Sequence, residues 1–125
     1  MLIFGHKLIK SDEFIFFQKD FDKEKINCFS FDEKKLLLAK TLNIKCAIYV
    51  KNINEAILCN ALNIEFIISD DKKLSKKLSK IAQFYLFDTK TLFLANDLNA
   101  IKTAIKCKSD GLLLKNFIID FKEFE

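Results

Sequence analysis

The chain has no arginine, no proline and no tryptophan; it has two glycines (Gly5, Gly111) and a single histidine, His6. Each scarcity excludes something. Without arginine there is no bidentate fork for phosphate, carboxylate or guanine edges, and the 21 cationic side chains are all lysines, which act as point charges. Two glycines cannot build a phosphate-cradling loop, where several are needed to let the backbone approach the ligand. One histidine leaves any catalytic or metal set short of its commonest member. No apolar run approaches the roughly eighteen residues that span a bilayer. The apolar start Leu2-Ile3-Phe4 is too short for the core of a signal peptide, so a cytoplasmic protein is expected.

Four cysteines are present: Cys28, Cys46, Cys59 and Cys107, spaced by 18, 13 and 48. No C-x-x-C pair exists, so neither a zinc knuckle nor a dithiol redox motif is available. Cys46 in KCAIYV and Cys59 in AILCNAL read as small buried hydrophobes. No metal and no cofactor are expected. The 125 residues, half of them hydrophobic and 30% charged, suit one domain over 1–125 with an ordinary core.

Short β-branched and aromatic runs read as strands at 2–9, 14–17, 26–31, 45–50, 65–70, 91–95 and 111–115. Between the later ones lie helical periods. Leu36, Leu37, Ala39 and Leu42 recur in 32–43, and Ile53, Ala56, Ile57, Asn60 and Ala61 in the next. Leu74, Leu78, Ile81, Ala82 and Tyr85 stripe the third. Leu98, Ile101, Ala104 and Ile105 stripe the last. An internal echo joins LAKTLNIKCAIYV to LCNALNIEFIISD, twenty residues apart, with a weaker copy in AIKCKSDGLLLKN. Helix–strand units with strands that hardly alternate indicate an α/β fold with a mostly parallel sheet. The first strands are close together and predict an N-terminal antiparallel hairpin. A closed barrel of such units takes about 250 residues. An open sheet or half-barrel is therefore expected, with edges that favour a homodimer. The C-terminal run 117–122 alternates as a strand would, and is expected to pair along an edge within the chain or with a second copy.

Over residues 56–117 the chain resembles part of the (β/α) barrel of the keto-deoxy-phosphogluconate aldolase group. The likeness lies in ALNIEFIISDDKKLSKKLSKIAQFY and LNAIKTAIKCKSDGLLLKNF. It implies half-barrel architecture. The position of that group's Schiff-base lysine falls near Leu113, with Lys115 two residues on along the same strand face, and the Phe-Pro that follows it is replaced by Lys115-Asn116-Phe117. Aldolase activity is not implied. The whole chain is also similar to a small conserved bacterial family, a likeness that brings no activity with it.

In a parallel α/β sheet ligands bind at the strand carboxyl ends. Those ends read Lys51-Asn52, Asp70-Asp71, Asn96-Asp97 and Lys115-Asn116. Lys51, Asp70, Asp97 and Asn116 are thus candidate ligand-binding residues, with Asp70 and Lys115 as acid/base candidates for a minimal barrel enzyme. The competing role for Asp70, Asp71 and Asp97 is helix capping; Asp71 can cap without Asp70. His6 is the remaining catalytic candidate, although alternation with Phe4 and Leu8 in a first strand makes it a structural residue, with Gly5 marking a bulge. Gly111 reads as relief of backbone strain at a turn. Lys72, Lys76 and Lys80 share one helical face, with Lys73 and Lys77 beside it, and form a candidate anion patch. Lacking arginine and interleaved aromatics, that face argues against nucleic-acid recognition and reads as a solvated surface. The sequence therefore favours a small binding or scaffold module, ligand unidentified, with no membrane association. A rim-based enzyme or phosphorylated-metabolite binder is the alternative, and a weak lysine-mediated nucleic-acid binder the second.

Overall fold

The computed structural model describes residues 1–125. Eight strands form one sheet: β1 (Leu2–Phe4), β2 (Phe14–Phe16), β3 (Ile26–Ser30), β4 (Cys46–Tyr49), β5 (Phe66–Ser69), β6 (Lys90–Ala95), β7 (Gly111–Leu114) and β8 (Ile118–Ile119). Four helices cover it: α1 (Glu33–Thr41), α2 (Ile53–Ala61), α3 (Lys72–Phe84) and α4 (Ile101–Lys106), the last entered through a 3₁₀ turn at Leu98–Ala100. The strand order is β1-β7-β6-β5-β4-β3-β2-β8, and every pairing is parallel.

The sheet is open but strongly curled. β1 and β2 stand six strand spacings apart in the order, about 29 Å if the sheet were flat. Yet the Phe4 and Phe14 rings lie 4.9 Å apart, and both meet Phe66 of β5 at 5.5 and 5.6 Å. The concave side is filled by Phe4, Phe14, Ile26, Cys28, Ala47, Ile68, Leu92, Leu94, Leu113 and Ile118. The convex side carries the alternate residues, among them Phe29, Ile48, Ile67, Phe93 and Leu112, under the helices. Both faces of the central strands β3 to β7 are largely buried, which is why they read as apolar runs without alternation.

The antiparallel hairpin is not formed. β1 pairs with β7, and β2 pairs with β3 and β8, all in parallel. The crossover from β2 to β3 runs through 17–25 without a helix, shorter than the dozen or so residues usual for such a link. Asn27 makes this work. Its side chain is fully buried, accepts from the Asp22 amide at 2.9 Å, and donates to the carbonyls of Asp22 at 2.8 Å and Lys25 at 3.0 Å. Phe17 and Phe21 pack on Phe29 beneath the loop.

The first strand is also shorter than 2–9. It stops at Phe4 because Gly5 turns the chain at φ 129°, where a Cβ would lie 2.9 Å from Leu114 Cβ. Gly111 is required by close approach rather than by backbone strain: its Cβ would fall 2.8 Å from both Cβ and O of Leu2. The C-terminal run pairs within the chain, β8 on β2.

All four helices stop the same way. The residue after each cap adopts positive φ: Asn43, Asn63, Leu86 and Lys108. The next amide reaches back five residues, Ile44 to Ala39, Ile64 to Cys59, Phe87 to Ala82 and Ser109 to Ala104, at 2.8–3.1 Å. This is the Schellman stop, and it is the physical content of the repeated Leu-Asn-Ile. No helix is long and apolar enough to cross a membrane.

Candidate functional site at the strand carboxyl ends

Because every strand runs the same way, all eight carboxyl ends open on one rim, and the helix N-termini start there. The rim residues divide between capping and free groups. Asp32, Asn52, Asp71 and Asp97 each accept a backbone amide of the turn they precede, from Lys35, Glu55, Leu74 and Asn99, at 2.9–3.0 Å. Asp97 is therefore occupied as a cap. Asp70 is not: its Oδ1 accepts a 2.8 Å hydrogen bond from the Tyr49 hydroxyl. Burial and that carboxylate push the Tyr49 phenol up to about 12.

Lys115 does not sit on a strand face. β7 ends at Leu114, Lys115 begins a 3₁₀ turn, and its Nζ lies 3.4 Å from Glu123 Oε1. Leu113, by contrast, points into the filled concave core. No ion pair joins Lys115 to Asp70, so the two acid/base candidates serve different partners. Asn116 is exposed and its side chain makes no hydrogen bond within the chain. His6 lies in the turn after β1, not in a strand; its Nδ1 accepts the Leu8 amide at 3.1 Å, and Leu8 itself is exposed. The strand alternation expected for His6 with Phe4 and Leu8 is therefore absent, and the imidazole instead bonds within its own turn.

Two arrangements occupy the rim. On its outer side, between the N-termini of α2 and α3, lies a cleft of about 470 Å³ lined by Lys51, Asn52, Asn54, Asp71, Lys73 and Lys77, with Ile53 and Leu74. None of the three lysines forms an ion pair. The predicted Lys72/Lys76/Lys80 face does not line this cleft; the lysines beside it do. Lys73 and Lys77, one turn apart, turn toward Lys51. Lys72 and Lys76 lie by Cys107, whose thiol donates to the Lys72 carbonyl at 3.6 Å, and Lys80 is exposed outside the cleft.

On the inner side, the mouth of the curl is covered by the segment after β8. Phe124 lies flat on Tyr49 at 4.7 Å and 1°, and against Phe16 at 5.2 Å; Phe121 meets Phe16 edge-on at 5.5 Å. Tyr49, Glu123 and Phe124 carry no motif. Their one legible signal is that Tyr49, one of two tyrosines, ends a strand.

The cysteines are chemically quiet. All four are free and buried, and burial pushes Cys46 and Cys59 up to about 12, with Cys28 and Cys107 also raised. No group of three or more His, Cys, Asp or Glu is placed to hold a metal ion. No family model matches the chain, and no curated protein is significantly similar to it.

Proposed function

We propose that the protein is a small self-associating binding module that takes a phosphorylated or comparably anionic small molecule in the Lys51/Lys73/Lys77 cleft. One observation carries this reading: three lysines surround a cleft of about 470 Å³ and none is neutralised by a carboxylate ion pair. The amides at the starts of α2 and α3 add positive potential on the same side, offset in part by the Asp71 carboxylate. Lysines offer charge without bidentate geometry, so the reading is of a modest, salt-sensitive affinity.

Titrating the protein at low salt with inorganic phosphate and with a sugar phosphate, followed by amide NMR shifts, tests it. Shifts should centre on 51–54 and 71–77, and each lysine-to-alanine change at Lys73 or Lys77 should weaken binding about fivefold, or about 1 kcal/mol. Absence of any shift at these amides sinks the reading. Perturbation by a nucleic-acid duplex of the Lys72, Lys76 and Lys80 side-chain signals, with the 51–54 amides unmoved, would favour the polyanion alternative.

A further inference from the structure

The second rim arrangement is separate from the lysine cleft and does not depend on it. After β8 the chain reverses at Asp120, with φ 57°, and crosses the mouth of the curl. Residues 121–125 make no backbone-to-backbone hydrogen bond and belong to no regular element. What holds them is a set of side-chain contacts of a recognisable kind. An aromatic ring, Phe124, is stacked face to face on Tyr49 and lies tilted at 45° against Phe16. The neighbouring carboxylate, Glu123, is held by Lys115 at 3.4 Å. A ring on an aromatic platform and an acid on a lysine are the contacts a site would offer an external ligand.

We propose that this mouth is a binding site for a planar aromatic ring bearing a carboxylate, and that Glu123-Phe124 fills it as an internal occupant that such a ligand displaces. Tyr49 is the stacking platform and Phe16 the side wall. Lys115 takes the acid. Asp70, by accepting from the Tyr49 hydroxyl, fixes the plane of the platform and repels a carboxylate placed on the wrong side. Phe121, packed on Phe16, anchors the root of the strap, while its tip is held only by the Phe124 ring on Tyr49, Phe16 and Phe121 and by one ion pair whose Glu123 side chain is 73% exposed, so the tip can leave without the root. Apparent affinity in the native chain is reduced by the fraction of time the strap is seated.

The full-length Phe124→Ala chain, in a Tyr85→Phe background that leaves Tyr49 the only tyrosine, tests this by NMR of the Tyr49 ring. Phenylacetate is the probe; cyclohexylacetate tests stacking and phenethylamine tests the sign of charge. With Phe124 removed, the Tyr49 hydroxyl, less buried, should titrate lower than in the same chain with Phe124 present, reporting a lifted strap. Phenylacetate should then shift the Tyr49 ring signals, about tenfold more weakly when Phe124 is present. The Lys115→Ala change should abolish the shift, and cyclohexylacetate and phenethylamine should not produce it. No phenylacetate shift in a chain whose Tyr49 titration has dropped overturns the proposal. An unmoved Tyr49 titration, or an equal response to phenethylamine, does the same. If Phe124→Ala fails to fold, Glu123→Gln leaves the aromatic packing intact; it frees Lys115 and should strengthen phenylacetate binding, and no change there is equally fatal.

Discussion

Asn43 and Asn63 show how one residue type can set a boundary. Each takes the left-handed conformation that ends a helix, which asparagine tolerates better than branched or bulky side chains do. The repeated Leu-Asn-Ile was legible for that reason, and it correctly marks where α1 and α2 stop and where β4 and β5 begin. Leu86 occupies the same place after α3, at φ 53° and 84% exposed, so it carries the conformational cost with no burial in return. Leu86→Gly should therefore stabilise the fold by about 1 kcal/mol, read as a higher thermal midpoint. A drop in midpoint would show that Leu86 makes contacts the cost was supporting. Ser75 is the opposite case: buried in α3 with a hydroxyl that meets no partner, it should tolerate Ser75→Ala with a gain of about 1 kcal/mol by denaturant unfolding. A loss on that substitution would show that the hydroxyl is hydrogen-bonded in solution.

Among elements, the β2–β3 crossover is where sequence reading and structure part. Two aromatic runs nine residues apart, with no helical period between them, look like hairpin strands. The pairing is decided instead by a single buried amide, Asn27, whose three hydrogen bonds fold the 17–25 loop back across the sheet edge. Nothing local marks Asn27 as different from the other asparagines of the chain. Replacing it by alanine leaves the Asp22 amide and carbonyl without their side-chain partner. Asn27→Ala should cost about 2–3 kcal/mol by denaturant unfolding. Protection of the Asp22 amide against hydrogen exchange should fall before that of β4 or β5. A cost near zero would mean that the aromatic packing of Phe17 and Phe21 on Phe29 holds the crossover unaided.

The helices teach a related lesson. Periodicity located all four, but it placed too much apolar surface inward. The residues that touch the sheet are often small: Ala39, Ala56, Cys59, Ser75, Ser79 and Ala104 are all buried. Small side chains let helices lie close on a tightly curved sheet, and larger ones such as Leu37, Leu42, Ile57 and Tyr85 are left outside. Likewise the rim was legible as a place, because parallel strands send all carboxyl ends one way. The division of labour on it was not, because capping and free roles differ by one residue at Asp70 and Asp71, and because the strap arrives from a segment remote in sequence.

For the whole molecule the open question of surface follows from that packing. The chain fills both sides of its sheet, and its edges are blunt, three residues in β1 and two in β8. Edge pairing is therefore a poor route to the self-association proposed above. The outer faces of α1 and α2 are a better one. Leu37 is 71% exposed, Leu58 46% and Leu62 40%, and together with Phe31 and Leu36 they line an apolar groove of about 270 Å³. In a two-fold dimer each groove residue is buried twice, so one substitution is felt at two places. Placing a charge at Leu58 forfeits about 3 kcal/mol or more of apolar burial across such an interface. Sedimentation equilibrium of the native chain should give a mass above the 14.6 kDa monomer, and Leu58→Lys should return it to the monomer with the thermal midpoint of the fold little changed. Self-association fails as a reading if the native chain sediments as a monomer. If the dimer persists in Leu58→Lys, the contact lies elsewhere, and the α1–α2 groove loses its role.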